Sequence, residues 1–230
     1  MDLETITKRD ESLKSDFRGE RFLGANKYKD LELLLKKIYG VDIVFDMSSY
    51  DTDPVYNKSL LHQNDNLVFI PKGFTLKNGE KEGEYHNLTA KELITLLELR
   101  TTNGESSLIE PQNLRNFKQD INLLKDQVVT AGEWLIIREN AKVQQRTAQN
   151  IEKAFPIIPS KSTDFVTLKQ GMVFSLLKPK SKRQAFCFTS NTLGEGKLAI
   201  FSHNKENQLV LAKFPVGTPT NVHQLTVRKA

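Results

Sequence analysis

The stretch Lys27-Tyr28-Lys29-Asp30-Leu31-Glu32-Leu33-Leu34-Leu35-Lys36-Lys37-Ile38-Tyr39-Gly40-Val41-Asp42-Ile43-Val44-Phe45-Asp46 decides the fold class. Leu31, Leu34, Leu35 and Ile38 recur at i, i+3, i+4 and i+7, which puts them on one face of a helix over 27–39. Asn26 can cap its start and Gly40 its end. The period then changes. Val41, Ile43 and Phe45 alternate with Asp42, Val44 and Asp46, as a half-buried strand requires. A helical period that gives way to a strand period predicts an α+β chain.

Upstream, residues 1–20 are polar with scattered apolar positions and read as a flexible arm or a frayed helix. Downstream, Leu67 to Ile70 is a short strand closed by Pro71-Lys72-Gly73. Thr89-Ala90-Lys91-Glu92 has capping-box spacing and opens a helix to about Arg100. Pro111 suits a first helical turn, and a helix is expected from there to about Val128. Its seam of Leu114, Phe117, Ile121, Leu124 and Val128 reads most simply as core packing, with a homo-oligomer contact as the alternative. Trp134 to Ile137 reads as a buried strand between Gly132 and Asn140, followed by a polar helix over 141–155. Pro156 and Pro159, with Ser160-Lys161-Ser162, mark a linker.

Beyond the linker five runs look like strands: Met172 to Leu177, Gln184 to Thr189, Lys197 to Ser202, Gln208 to Phe214 and Leu225 to Arg228. They predict an antiparallel meander, barrel-like or packed on the helical part. The expected organisation is an arm over 1–20, a helix-rich mixed α/β domain over 21–155, a linker over 156–163 and a basic β-rich domain over 164–230.

Charge supports that division. The chain of 230 residues carries a net charge of +5. From 156 onward there are eleven Lys and Arg against only Asp164, Glu195 and Glu206, which leaves the first 155 residues with more acids than bases. The single cysteine, Cys187, excludes an intramolecular disulfide and reads as a small buried hydrophobe. Apolar runs such as Leu33 to Leu35 fall far short of a membrane span. The mixed-charge start lacks a Sec-type signal pattern, so a soluble cytoplasmic protein is expected, with export by a route that reads other signals left open.

The densest charge is Lys178-Pro179-Lys180-Ser181-Lys182-Arg183, placed at an expected hairpin tip where self-repulsion is relieved by an approaching anion. Lys161, Lys169 and Lys197 would support it. Phe186 and Phe188 share one strand face and read as core, not as stacking platforms for bases. Asp46, Asp51 and Asp53 follow a strand and could share a hard cation for phosphoryl or glycosyl transfer, although Asp-Thr-Asp-Pro also spells a turn. His86 has the best neighbours of the histidines for acid–base work, and none is spaced for zinc. Leu193-Gly194-Glu195-Gly196-Lys197 lacks the spacing of a phosphate loop and reads as a hairpin turn. No dinucleotide fingerprint or nucleophile elbow occurs, so no cofactor is expected.

These patterns favour a non-catalytic binding or adaptor protein whose C-terminal β-module engages an anionic partner, an acidic protein surface or nucleic acid, with anionic lipid also compatible. The alternatives are a metal-dependent hydrolase or transferase built on the Asp cluster, and a structural or assembly component.

Overall fold

In the computed structural model, residues 3–77, 83–102, 104–124, 131–139, 144–146, 164–178, 186–193, 197–215, 220–223 and 225–230 are described. The chain opens with α1 (Leu3–Asp16), β1 (Phe22–Leu23), α2 (Ala25–Tyr39) and β2 (Asp42–Phe45). It continues through β3 (Asp65–Ile70), β4 (Gly73–Lys77), β5 (Glu84–Asn87), α3 (Ala90–Leu97) and α4 (Pro111–Lys118). The remainder is β6 (Glu133–Glu139), β7 (Gln144–Arg146), β8 (Asp164–Phe165), α5 (Leu168–Leu177), β9 (Phe186–Thr192), β10 (Lys197–His203), β11 (Leu209–Pro215), β12 (Thr220–His223) and β13 (Leu225–Lys229). The fold is α+β.

The deciding stretch forms as its periodicity dictates. On α2 Leu31, Leu35 and Ile38 are buried, and Gly40 closes the helix at φ 69 with its N–H on the Lys36 carbonyl. That left-handed conformation is nearly free only to glycine. The start differs from expectation: Gly24, not Asn26, is the N-cap, and no side chain caps the helix. On β2 Ile43 and Phe45 turn inward while Asp42 and Val44 face out.

Three sheets follow, in the orders β1-β3-β6-β13-β8, β11-β10-β9-β12-β7 and β2-β4-β5. The first is central. Its β3 and β6 run antiparallel with Asp65 opposite Arg138 and Ile70 opposite Glu133. Every residue of β3 is buried, as a strand covered on both faces requires. No sheet closes into a barrel among the described residues.

The two regions separated in sequence by the linker share this central sheet. β13, the last strand, pairs with β6, and β8 pairs with β13. The linker itself, residues 156–163, lies outside the described residues. Nor is Met172 to Leu177 a strand. It belongs to α5, whose residues Leu168 to Ser175 and Leu177 are buried. A helix covered all round carries no amphipathic period, so its apolar run resembles a buried strand. The deciding feature is a capping box: Thr167 accepts the Gln170 N–H at 3.2 Å, and the Gln170 side chain accepts the Thr167 N–H at 2.8 Å.

Other expectations shift for local reasons. Residues 3–16 form a helix, with Leu13 and the following Phe17 set into the core. The helix from Pro111 stops at Lys118 and gives way to a 3-10 turn over Ile121–Leu123. Leu114, Phe117, Ile121 and Leu124 are all buried in the chain's own core, so they are not available to a second copy. Val128 lies outside the described residues. Within the expected polar helix over 141–155, residues 144–146 are instead strand β7, paired with β12.

Candidate functional site

Three of the seven cations singled out in the sequence, Lys169, Lys178 and Lys197, lie among the described residues, each in a different setting. Lys169 is buried on α5, at 4% exposure. Lys178 follows the end of that helix, its side chain 24% exposed, with Nζ 3.3 Å from Glu139 Oε2 and donating to Asn66 Oδ1 at 3.0 Å. Lys197 is exposed and lies 3.9 Å from Asp120. The helix formed by α5 explains this: it carries Lys169 inward and ends by tying Lys178 to the central sheet. Lys161, Lys180, Lys182 and Arg183 lie outside the described residues.

The acidic candidates are also dispersed. Asp46 accepts the Ser48 N–H at 3.0 Å and the Tyr85 hydroxyl at 2.8 Å. Hydrogen bonding from Ser48 first, and Tyr85 beside it, holds its carboxyl below the usual carboxylate range. Asp53 is exposed and faces Arg9 at 3.9 Å, while Asp51 is exposed in the intervening turn. Among the described residues no group of three or more His, Cys, Asp or Glu side chains could hold a metal ion. His86 stacks on Phe74 with ring centroids 5.3 Å apart, and its Nδ1 lies 3.2 Å from Glu92. It ties β5 to α3. Cys187 is buried at 1% exposure, as a small hydrophobe would be.

A groove of about 640 Å³ lies where α3 and α4 approach each other. Its apolar lining is Leu97, Ile109 and Leu114, which are buried, with Leu99 and Pro111 more open. Its rim is cationic, with Arg100, Arg115 and Lys118. The sequence builds it through a few fixed points. The Tyr39 hydroxyl donates to the Leu97 carbonyl at 2.9 Å and accepts the Leu108 N–H at 3.1 Å, pinning both ends of the connection between the helices. Ile109 forms a parallel bridge to Leu209, so the connection is laid along the edge strand β11. Pro111 then starts α4, whose Leu114 and Phe117 face inward and leave Arg115 and Lys118 outside.

The lining carries three cations and one carboxylate, Glu98. Lys118 pairs with Glu98 at 2.9 Å. Arg100 and Arg115 are exposed and make no hydrogen bond or ion pair among the described residues. Just past α4, Asp120 takes Lys213 at 2.8 Å with Lys197 at 3.9 Å, and Lys213 holds its carboxyl below the usual range. One carboxylate thus serves two lysines, and the positive field continues from the rim onto β10 and β11.

A smaller hollow of about 320 Å³ offers a contrast, because its charges cancel. Arg9 faces Asp53 at 3.9 Å, and Asp16 takes both Lys58 and the Tyr56 hydroxyl, at 2.8 and 2.7 Å. Charge that is already paired offers little to a ligand.

Sequence reading missed Arg100, Arg115, Lys118 and Lys213. Arg115 and Lys118 sit three apart on α4 and so share its exposed face, which was a readable signal. Arg100 and Lys213 come from distant segments and carried none. Comparison of the chain with known protein-family models, curated proteins and solved structures gives no match. No described helix is long and apolar enough to cross a membrane.

Proposed function

We propose that this chain is a binding protein that engages an anionic partner, an acidic and partly apolar segment of another protein, in the groove between α3 and α4. The observation that carries this reading is the pairing of accessible apolar lining at Leu99 and Pro111 with rim cations, of which Arg100 and Arg115 are not neutralised by described neighbours. Apolar side chains of the segment would cover Leu99 and Pro111, the accessible apolar lining. Its carboxylates would meet Arg100 and Arg115, with Lys197 and Lys213 extending the attraction along β10 and β11. The cationic run at 180–183, outside the described residues, is not required.

A protein segment suits the groove better than nucleic acid does. Single-strand binders present rings on which bases stack, whereas this floor is aliphatic. Tyr85, the exposed aromatic residue among those described, stands on β5 with its hydroxyl on Asp46.

The test is fluorescence anisotropy with a labelled peptide alternating Glu and Leu, titrated at several salt concentrations. Arg100→Gln with Arg115→Gln should weaken binding about tenfold or more and reduce its salt dependence. A single-stranded oligonucleotide forms the second arm. Equal peptide affinity in the wild type and the double variant would end this reading, as would tight oligonucleotide binding beside none for the peptide.

A further inference from the structure

Glu98 is the one carboxylate among the residues that line the groove, and its position runs against the local electrostatics. It is the C-cap of α3, its N–H directed to the Ile94 and Leu96 carbonyls. The carbonyls at a helix end carry partial negative charge, so a carboxylate there is disfavoured and a cation favoured. The last turn of α3 holds no basic residue to offset it. The offset comes from α4: Lys118 Nζ lies 3.0 Å from Glu98 Oε1 and 2.9 Å from Oε2. Lys118 has no such need. It stands in the last turn of α4, where the helix end already favours its charge.

The pair divides the rim cations into two kinds. Arg100 and Arg115 are exposed and make no hydrogen bond or ion pair among the described residues, whereas both oxygens of an internal carboxylate hold Lys118. With side-chain exposures of 48% for Lys118 and 30% for Glu98, the contact is within reach of an incoming segment. Exposed pairs of this kind contribute little to stability, so this one can be opened with little effect on the fold. A segment carboxylate that approaches Lys118 also meets the negative charge of Glu98 on the same ammonium.

We propose that Glu98 is an internal competitor for the third rim cation, an autoinhibitory contact that withholds Lys118 and restricts the groove to segments whose carboxylates meet Arg100 and Arg115. This rests on the proposed binding of an acidic, partly apolar segment and adds its regulation. In the wild type, attraction of a segment carboxylate to Lys118 is offset by repulsion from Glu98. A carboxylate placed opposite Lys118 therefore brings no tighter binding, and segments are selected by the two that face the arginines. Neutralising Glu98 converts the rim to three open cations.

The experiment uses the full chain and the Glu/Leu peptide of the anisotropy assay, together with versions in which each Glu in turn is replaced by Gln. Glu98→Gln should tighten binding of the parent peptide about three- to fivefold. One peptide position whose replacement is silent with the wild type should become sensitive with Glu98→Gln. Adding Lys118→Gln to Glu98→Gln should remove the gain and restore the silence. Glu84→Gln, the same change of charge on the exposed β5, should alter affinity less than about twofold at physiological salt. A gain equalled by Glu84→Gln, or one that survives Lys118→Gln, would assign the effect to overall charge and overturn the proposal. Binding that depends on Arg100 and Arg115 but does not change with Glu98→Gln would overturn this inference alone. Absence of binding, or binding indifferent to all three residues, would end the groove reading with it.

Discussion

Tyr50→Phe removes one oxygen from the most connected polar cluster in the core. That hydroxyl donates to the Asp10 carboxylate, whose oxygens lie at 2.8 and 2.9 Å, and accepts the Ala25 N–H at 2.9 Å. Gly24 makes the approach possible, since a Cβ there would lie 2.3 Å from the hydroxyl oxygen. The Phe ring keeps what the Tyr ring does: an edge contact to Phe69 at 5.1 Å, a tilted one to Trp134 at 4.9 Å and the Arg9 guanidinium over its face at 4.4 Å. The variant therefore isolates the hydrogen bonds. An N–H left without its acceptor costs about 1–3 kcal/mol, and a buried carboxylate losing its donor costs about 1.5–3, so the loss near pH 7 should be about 3–5 kcal/mol.

The pH dependence has a definite sign. Burial raises the Asp10 carboxyl above its ordinary value, while Tyr50 and Arg9 partly oppose this. Between the unfolded and the raised native pKa, the native chain holds a proton that the unfolded chain has released, so stability falls as pH rises through that window. Removing the Tyr50 donor extends the window upward. The deficit of Tyr50→Phe should grow from pH 5 to pH 8, and on an Asp10→Asn background it should shrink and lose its pH dependence. Urea unfolding of the four chains at each pH measures this. A deficit under about 0.5 kcal/mol at pH 8, or one equal at pH 5 and 8, would refute the reasoning.

Three further variants test the packing. Gly171→Ala puts a Cβ 2.3 Å from Phe201 Cε1 in the fully buried α5, and thermal unfolding should show a loss of about 1–3 kcal/mol. Thr167→Ala removes the capping box of that helix, and its denaturation midpoint should fall by an amount equivalent to about 1 kcal/mol. Arg138→Leu takes from Asp65 a guanidinium held at 2.6 and 3.1 Å. Because Arg138 is 34% exposed, the loss in urea unfolding should fall short of the roughly 3–5 kcal/mol of a fully buried pair.

The elements that were legible from sequence declare themselves locally. α2, β2 and the start of α3 follow from period, the C-terminal glycine of α2, and Thr89, whose side chain accepts the Glu92 N–H at 3.1 Å. The pairing of β9 with β10 was also readable, and the Leu193 N–H reaches the Lys197 carbonyl at 2.9 Å, while residues 194–196 lie outside the described residues. Strands β4 and β5 escaped because Glu84-Tyr85-His86-Asn87 has no apolar alternation and pairs through its backbone. α5 escaped because a helix buried on all sides has no polar face to set its period. The seam from Leu114 to Leu124 misled for the opposite reason: its spacing continues past the end of α4 through a 3-10 turn that buries the same side.

Long-range pairing was the least accessible feature. Nothing within Leu225 to Arg228 says that it will lie beside β6, and nothing in Arg100 says that it will share a rim with Arg115. A cationic surface is formed by tertiary contacts, so the run from Lys178 to Arg183 drew attention while the groove, whose rim falls in the more acidic part of the chain, did not.

The most direct measurement is an amide chemical-shift titration of the isotopically labelled chain with the Glu/Leu peptide. The account expects the largest perturbations over Leu97–Thr101 and Pro111–Lys118, with smaller ones on β10 and β11 near Lys197 and Lys213. Perturbations confined to residues 179–185, or none at the groove with the peptide in excess, would contradict it.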